Sequence, residues 1–579
     1  MIKTLAKSIR EYKKASILTP LFVSFEVIIE CLIPWIASIF IEEIESASGD
    51  LRVIVGLGAL LILLACISLT FGALSAHFCA IASCGFAKNL RHDLYYAVQD
   101  FSFANIDRFS SSSLVTRMTT DVSNVQMSFM MLIRTAVRGP FMIIFALTMV
   151  LIISPRMALG FAVIVPILAI GLLLIMTKAH PIFKNVFKKY DKLNNSIQEN
   201  VHGMRVVKSF VREDHEKNKF GDASDDVAKD FKRAEKILAL NTPLMQLCFN
   251  LTMLFVCFFG SRLVVTSGGT KLNVGEMSAL LTYGAQILMS LMMLSMIIVM
   301  VVISAASAGR IAEVLEEKST ITNPKNPVTE VSDGSIIFKG VNFSYSNNSE
   351  KCALSNINLF IDSGETVGII GGTGSGKTSL IQLISRLYDV TDGQVMVGGV
   401  DVREYDLESL RSQVATVLQK NVLFSGTIKE NLRWGDPDAS DEEIQRICKL
   451  AAADEFISSF PDGYDTYIEQ GGTNVSGGQK QRLCIARALI RKPKILILDD
   501  STSAVDTKTD AQIRRSFAEE IPNTTKIIIA QRISSVEHAD KIVVLDGGKI
   551  ESIGKHEELM ERSPIYREVY NSQVKGDDQ

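Results

Sequence analysis

The sequence has 579 residues, which is longer than one ordinary domain, so two or more folded units are expected. Hydrophobic residues make up 47% of it and the formal net charge is −3, a balance that argues against nucleic acid as a partner. The long apolar runs lie in the first ~300 residues, and the remainder has the composition of a soluble α/β protein.

Six apolar segments in the first half are close to the length of about 20 residues that a helix needs to cross a bilayer. They cover residues 17–41, 51–78, 130–153, 158–176, 243–265 and 277–304. Lys and Arg are concentrated before the first segment and after the second and the fourth. The other connections are short and carry few cations, namely Arg52, Arg156, Arg262 and Lys271. The positive-inside rule therefore predicts six spans, with both termini and two long loops in the cytosol. No short cleavable signal precedes the first span, which also favours a cytosolic N-terminus.

The two long loops, near residues 85–128 and 180–240, show helical spacing rather than turn signals. Apolar residues recur at Leu114, Met118 and Val122, for example, four positions apart. Two interpretations fit this spacing: solvated helical hairpins, or spans that continue as helices into the cytosol and carry force to another domain. The second is favoured because the loops are too regular and too long for simple connectors.

Charged residues inside the predicted spans need partners, because an unpaired charge in hydrocarbon is costly. Glu26 and Glu30 lie one turn apart in the first span, and Arg134 and Arg138 lie one turn apart in the third. Counting at ~1.5 Å per residue from the outer ends places Arg138 at a depth between the two carboxylates. We predict a structural ion pair between these helices, with a cation-binding role as the alternative.

The sixth span is rich in Met, a flexible and polarizable side chain that can line a surface for many apolar ligands. The alternative is that these side chains pack against lipid or neighbouring helices. The candidate substrate pathway consists of Tyr283, Gln286, Met289, Met293 and Met296.

The boundary between the halves is predicted at residues 320–333, which contain two Pro and no long apolar run. This gives a membrane domain at 1–315, a linker at 316–334 and a soluble domain at 335–579. The soluble domain opens with a β-rich stretch, and a buried strand at 366–370 leads into a glycine-rich loop.

Residues 371–378 read G-G-T-G-S-G-K-T, a G-x-x-x-x-G-K-[ST] phosphate loop between a predicted strand and a predicted helix. Backbone N–H groups of such a loop surround phosphates, and Lys377 supplies a positive charge. Residues 494–504, K-I-L-I-L-D-D-S-T-S-A, form a second buried strand that ends in Asp499 and Asp500. Thr378 and Asp499 offer oxygen ligands to Mg²⁺. The pair of motifs predicts a site for ATP and Mg²⁺.

The run V-S-G-G-Q at 475–479, followed by K-Q-R, resembles the signature of ABC transporter ATPases, which usually begins with Leu. Tyr345 resembles the family's adenine-stacking aromatic, Gln419 its Q-loop glutamine, and residues 503–506 its D-loop. Six spans ahead of one such domain resemble a bacterial ABC exporter half-transporter, and the likeness covers nearly the whole chain. It implies an all-α polytopic membrane domain followed by an α/β P-loop ATPase domain.

The resemblance also implies roles for individual residues. ATP would be bound by Tyr345, Gly371, Gly372, Thr373, Gly374, Ser375, Gly376, Lys377, Thr378 and Ser379. Metal ligands would be Thr378, Gln419 and Asp499, and the catalytic set would be Asp500, Gln531, Gln419 and Asp506. In the family, the signature of one chain covers ATP bound on another, which assigns that role to Val475, Ser476, Gly477, Gly478 and Gln479. Because this chain has one such domain, it is expected to dimerise.

Two positions depart from the family's catalytic set. Asp500 stands where the family has Glu, and Gln531 stands where it has a switch His. Asp is one methylene shorter, and a misplacement of ~1 Å can cost about 10²-fold in rate. Gln can donate a hydrogen bond to a phosphate but cannot carry a proton at neutral pH. The two changes together predict a degenerate ATP site, as in the impaired half of a heterodimeric exporter.

The favoured prediction is therefore one half of an ATP-driven exporter of amphipathic, drug-like molecules in a bacterial plasma membrane. Its partner would be a second half-transporter chain whose hydrolytic site this chain's signature completes. Two alternatives fit the same motifs: a hydrolytically active homodimeric exporter of lipids or drugs, and a regulatory ATP-binding subunit that gates a pore. The sequence does not choose among drug, lipid and peptide substrates.

Overall fold

The computed structural model describes residues 1–45, 50–345, 352–500 and 505–577. They fall into two compact units. The first comprises Met1–Asp100 and Phe109–Glu317, and the second comprises Phe101–Arg108 and Lys318–Gln579. The first unit is built from helices, whereas the second combines sheets and helices.

The first unit contains six helical segments, counted over its described residues, that are long and apolar enough to cross a membrane. This confirms the predicted six spans. In chain order the helices are α1 Ile2–Ala6, α2 Lys13–Glu45, α3 Leu51–Gln99, α4 Phe103–Arg108, α5 Ser111–Thr116, α6 Val122–Ile133, α7 Thr135–Ile153, α8 Pro155–His202, α9 Met204–Ser209, α10 Glu213–Leu238, α11 Asn241–Phe255, α12 Ser261–Ser267 and α13 Val274–Glu316. Of these, α4 belongs to the second unit.

Several helices continue far beyond their apolar segments. The helix α3 has 49 residues and α8 has 48. At ~1.5 Å per residue, each is roughly twice as long as the ~30 Å hydrocarbon core is thick. The interpretation that the spans continue as helices is thereby confirmed, and their role in carrying force stays a prediction.

Local irregularities interrupt two of the helical segments. π-helical turns occur at Arg117–Asp121 and at Val256–Gly260, each within an otherwise continuous helical path. Between α6 and α7 the backbone of Arg134 stays in the right-handed region but is distorted from regular helical values, with φ of −113° and ψ of −66°. Such turns redirect the side chains that follow them.

The predicted intramembrane ion pair is present. Arg138 Nη2 donates to both carboxylate oxygens of Glu30, at 2.8 and 2.7 Å, and Arg138 Nη1 donates to Glu26 Oε1. Glu26 is buried, and a Cβ atom at Gly72 would lie only 3.1 Å from its Oε1. The glycine therefore makes room for the carboxylate between α2 and α3.

The second unit contains three sheets and nine further helices in its described part. The strands are β1 Ile336–Phe343, β2 Leu354–Ile361, β3 Thr366–Gly371, β4 Asp392–Val397, β5 Val400–Asp401, β6 Val414–Val417, β7 Gly426–Thr427, β8 Tyr467–Ile468, β9 Ile495–Asp499, β10 Thr525–Ile529, β11 Lys541–Asp546 and β12 Lys549–Gly554. The helices are α14 Lys377–Ile384, α15 Leu407–Gln413, α16 Ile428–Arg433, α17 Asp441–Leu450, α18 Asp454–Ser458, α19 Gly477–Ile490, α20 Thr507–Glu520, α21 His556–Arg562 and α22 Pro564–Asp577.

The main sheet has the strand order β12-β11-β3-β10-β9-β6. All neighbours in it are parallel except β12, which pairs antiparallel with β11. Every residue of β9 and β10 is buried, as expected for parallel strands covered on both faces. A second, antiparallel sheet has the order β2-β1-β4-β5.

Candidate functional site

The predicted site residues follow four parallel strands of the main sheet. The glycine-rich loop follows β3, Asp499 ends β9, Gln531 lies two residues after β10, and Gln419 lies two residues after β6. Because parallel strands end at the same edge, the strand order brings these groups together. In open α/β sheets, ligands bind outside the carboxyl ends of the strands.

The loop depends on glycine at two positions. Gly374 and Gly376 have φ of 81° and 97°, a region that side chains disfavour. A Cβ atom at Gly376 would also lie 2.8 Å from the carbonyl oxygen of Ala353. The loop can therefore turn sharply into α14, and the backbone N–H groups at that helix start form a suitable anion site.

Lys377 and Ser375 provide polar groups within this loop. Lys377 Nζ donates to the carbonyl oxygens of Gly371 and Gly372, both at 2.8 Å. Burial lowers the pKa of Lys377, and the carboxylates of Asp499 and Asp500 oppose that shift. Ser375 Oγ is buried and has no hydrogen-bond partner among the described residues. A bound phosphate would give both groups an acceptor.

Asp499 and Thr378 bring two oxygen donors together. Thr378 Oγ1 donates to Asp499 Oδ2 at 3.2 Å, and Asp499 is 4% exposed. Burial raises the pKa of Asp499, since the carboxylate loses hydration that a cation could replace. Oxygen ligands of this kind suit Mg²⁺, so the donor set fits the predicted metal.

Asp500 and Gln531 are hydrogen-bonded to each other, with Gln531 Nε2 donating to Asp500 Oδ2 at 2.9 Å. Gln419 also donates to the Asp500 carboxylate. The Asp500 backbone has φ of 48°, and its N–H donates to the carbonyl of Ile529 at 3.0 Å. Burial raises the pKa of Asp500, while the two amides and Lys377 act in the opposite direction. The two unusual positions and Gln419 thus form one cluster.

Tyr345 lies beside the start of α14. Its hydroxyl shares a hydrogen bond with Ser379 Oγ at 2.9 Å and donates to Gln382 Oε1 at 3.0 Å. The edge of the ring meets Tyr388, with centroids 5.1 Å apart, and the residue is 53% exposed. An exposed aromatic next to the phosphate loop is placed where a base could stack.

The signature residues form a separate group. Ser476 caps α19 by accepting from the N–H of Gln479, whose side chain accepts in turn from the N–H of Ser476. Within the described segments 371–379 and 475–479, no hydrogen bond or ion pair joins the two. Asp506 caps α20 through the N–H of Thr509, and residues 503–504 of the predicted D-loop lie outside the described residues.

The candidate substrate residues divide into two groups. Met289, Met293 and Met296 are exposed, at 58%, 49% and 65%. Tyr283, by contrast, is fully buried and donates its hydroxyl proton to the carbonyl of Cys31 at 2.5 Å. Gln286 Oε1 is buried without a partner in the described structure. The structure therefore does not place Tyr283 on the methionine surface.

One cluster in this site was not predicted from the sequence. The contact between Asp500 and Gln531 requires that β9 and β10 be neighbours, which no local spacing reveals. A longer-range signal exists, since both residues follow strongly apolar strands, but it does not fix the strand order.

Comparisons with known proteins agree with this architecture. The model of the ABC transporter transmembrane region matches residues 17–292, and the model described as ABC transporter matches residues 354–503. The uncharacterized ABC transporter ATP-binding protein YfiB of Bacillus subtilis is 35% identical over 95% of this chain and 94% of its own length. An uncharacterized ABC transporter ATP-binding protein of Mycobacterium tuberculosis is 34% identical over 99% of this chain and 98% of its own length.

Two further matches are a relative named for multidrug resistance and a solved structure of an exporter. A probable multidrug resistance ABC transporter of Bacillus subtilis, YheI, is 34% identical over 80% of this chain and 79% of its own length. A solved structure of a bacterial Atm1-family ABC exporter with ATP bound shares the fold, with a TM-score of 0.83. It is 23% identical, and the match covers 98% of this chain and 99% of that one. Our chain therefore belongs to the ABC transporter family and joins that family's membrane-spanning region and ATP-binding domain in one polypeptide.

Proposed function

We propose that this protein is one half of an ATP-driven exporter and that its own ATP site is degenerate. The observation that carries the proposal is the hydrogen bond between Asp500 and Gln531 at 2.9 Å. The two groups that would handle the attacking water and the terminal phosphate are bonded to each other. Asp500 is also one methylene shorter than the Glu of the family, so its carboxylate reaches less far.

ATP binding itself is supported by an intact set of residues. The loop at 371–378 would surround the phosphates, Lys377 would contribute a positive charge, and Tyr345 would stack on the base. Thr378, Asp499 and Gln419 would hold Mg²⁺, which neutralises phosphate charge when bound. Asp506 would lie near the bound nucleotide of the dimer. The site would retain ATP and hydrolyse it slowly.

The signature at 475–479 supports a role in a dimer. Ser476 and Gly477 are exposed at the start of α19, where a hydroxyl and a helix N-terminus face outward. Both suit a phosphate bound on another chain. The proposed partner is a second half-transporter with Glu and His at the positions of Asp500 and Gln531, so that hydrolysis takes place at the site this signature completes.

The proposed substrate is an amphipathic, drug-like molecule carried across a bacterial plasma membrane, with the ATP-binding domain in the cytosol. The exposed face of Met289, Met293 and Met296 on α13 supports an adaptable apolar contact surface. The multidrug resistance relative at 34% identity supports the same class.

Turnover measurements test the degenerate site. The purified chain alone is expected to bind ATP and to hydrolyse it slowly, whereas the complex with its partner is expected to be active. Robust hydrolysis by the chain alone would overturn the proposal and assign an active homodimer. Hydrolysis by the complex without substrate flux into inside-out vesicles would instead assign a regulatory subunit that gates a pore.

A further inference from the structure

An open groove of about 590 Å³ lies on the first unit, between the start of α8 and the region of the π-helical turn at Val256–Gly260. Its volume is within the range of roughly 300–1,000 Å³ that is usual for small-molecule sites. None of the exposed methionines Met289, Met293 and Met296 of α13 lines this groove.

Apolar side chains form the walls of this groove. Val163 on α8 is 60% exposed and Phe259 in the π-helical turn is 45% exposed. At the floor, the ring of Phe255 lies so close to Gly160 that a Cβ atom there would be 2.1 Å from it. Phe255 and Phe259 are in contact, with ring centroids 5.0 Å apart. The result is an open slot whose lining is mainly apolar, with Thr266 and two arginines as its polar members.

Two arginines line the same groove, Arg156 near the start of α8 and Arg262 near the start of α12. Both are exposed, and neither forms an ion pair with a carboxylate in the part of the chain that the structure describes. No acidic residue is among the lining residues. The slot is therefore apolar along its length and positively charged at the side where these arginines lie.

The location of the arginines is unusual for a membrane protein. They stand at the ends of the third and fifth spans, which the distribution of basic residues predicts to face outside, where cations are few. Of the four cations in those connections, Arg156 and Arg262 line this groove, whereas Arg52 and Lys271 do not. Two cations at one apolar slot indicate a ligand that is both anionic and apolar.

We propose that this groove binds one anionic phospholipid from the outer leaflet, with its phosphate at Arg156 and Arg262 and an acyl chain along Val163 and Phe259. A neutral lipid would leave the guanidinium groups without an anion, and a small soluble anion would leave the slot unfilled. Basic pockets between membrane helices on the cytoplasmic side bind anionic lipid headgroups, and the same charge attraction would act at this groove. This assignment is independent of whether the ATP site is degenerate.

Native mass spectrometry of the purified full-length protein tests the site, with phosphatidylglycerol and phosphatidylcholine of identical acyl chains as probes. One phosphatidylglycerol per chain is expected to be retained, at least tenfold more tightly than phosphatidylcholine. In the double variant R156Q/R262Q, its affinity is expected to fall by about 30-fold. The matched control R52Q/K271Q removes two cations from the same side and is expected to change the affinity by less than about threefold.

A second variant, Val163→Trp, fills the slot and keeps both arginines. It is expected to weaken retention of phosphatidylglycerol as well, because the acyl chain loses its place. ATP binding by each variant confirms that it has folded. Equal retention of the two lipids, or equal effects of R156Q/R262Q and R52Q/K271Q, would overturn the proposal. A loss of dimer with unchanged lipid retention would also overturn it, and would show that a second chain occupies the groove.

Discussion

The carboxylate of Asp500 accepts hydrogen bonds from Gln419 and Gln531. Its side chain is also one methylene shorter than that of Glu. The change Asp500→Glu adds one methylene and moves the carboxylate outward by roughly a bond length. A gain of ~1 Å toward the water position can change a rate by about 10²-fold. We expect Asp500→Glu to raise ATP turnover at this chain's own site by at least tenfold, measured in a complex whose partner site has been inactivated.

The isosteric change Asp500→Asn serves as the control for that experiment, since it keeps the size of the side chain and removes the base. It is expected to leave turnover at this site at or below its starting level. Adding Gln531→His to Asp500→Glu is expected to raise turnover further, because His can exchange a proton at neutral pH and Gln cannot. If Asp500→Glu gives no gain even with Gln531→His, the short side chain is not what limits hydrolysis.

The ion pairs of Arg138 with two carboxylates are expected to stabilise the membrane domain. Arg138 bonds Glu26 and Glu30 between α2 and α7, and Glu26 is only 6% exposed. Removing one partner of a buried pair leaves an uncompensated charge, at a cost of about 3–5 kcal/mol. We expect Arg138→Met to lower the thermal unfolding midpoint of the protein in detergent clearly, and Glu26→Gln/Glu30→Gln added to Arg138→Met to recover much of the loss.

Arg134, one turn away, provides the matched control. It forms no ion pair with a carboxylate in the described part of the chain, so Arg134→Met is expected to have the smaller effect. Equal losses for Arg134→Met and Arg138→Met would show that the ion pair does not stabilise the membrane domain. The pairing itself was predictable, since helix rise and span direction fix the depth of each charge.

Helix boundaries and helix irregularities differ in how well a sequence predicts them. The spacing near Leu114 and Val122 predicted helices in the cytosolic loops, and α5, α6 and the π-helical turn between them occupy that region. The turn itself could not be predicted. A single wider turn leaves apolar residues three or four positions apart on either side. Here its side chains bond to α13, which is distant in sequence.

That contact joins the π-helical turn Arg117–Asp121 to α13. Arg310 donates to both carboxylate oxygens of Asp121, at 2.7 and 2.5 Å, and Asp121 is 1% exposed. A double-mutant cycle with Asp121→Asn and Arg310→Gln is expected to give a coupling free energy of about 1 kcal/mol or more. The measurement is the free energy of unfolding of each variant in mild detergent.

The exposed pair of Asp214 and Lys217 on α10 offers the comparison for that cycle. Its side chains are 92% and 74% exposed, and pairs of this kind contribute little. Its coupling energy is expected to be near zero. Equal couplings in the two cycles would mean that the π-helical turn is not held by this ion pair.

Over the whole chain, the sequence predicts the groups that lie within one contiguous motif and does not predict those that depend on contacts between distant segments. The phosphate loop and its helix are contiguous, so their chemistry is readable from residues 371–378 alone. The cluster of Gln419, Asp500 and Gln531 depends on β6, β9 and β10 lying side by side, which follows from the packing of the whole sheet. The signature at 475–479 forms no hydrogen bond or ion pair with the phosphate loop among the described residues, and the role proposed for it requires a dimer.

Ser476 tests that role directly, because its structural and proposed functional contributions can be separated. Asp is as good an N-cap as Ser, so Ser476→Asp keeps the start of α19 while placing a negative charge opposite a partner's phosphate. We expect Ser476→Asp to reduce ATP turnover of the complex by at least tenfold with an unchanged unfolding midpoint. Lys377→Ala in the same chain weakens only this chain's own ATP site and is expected to reduce turnover less. If Lys377→Ala proves the more damaging change, hydrolysis takes place at this chain's own site and the proposed division between the two sites is wrong.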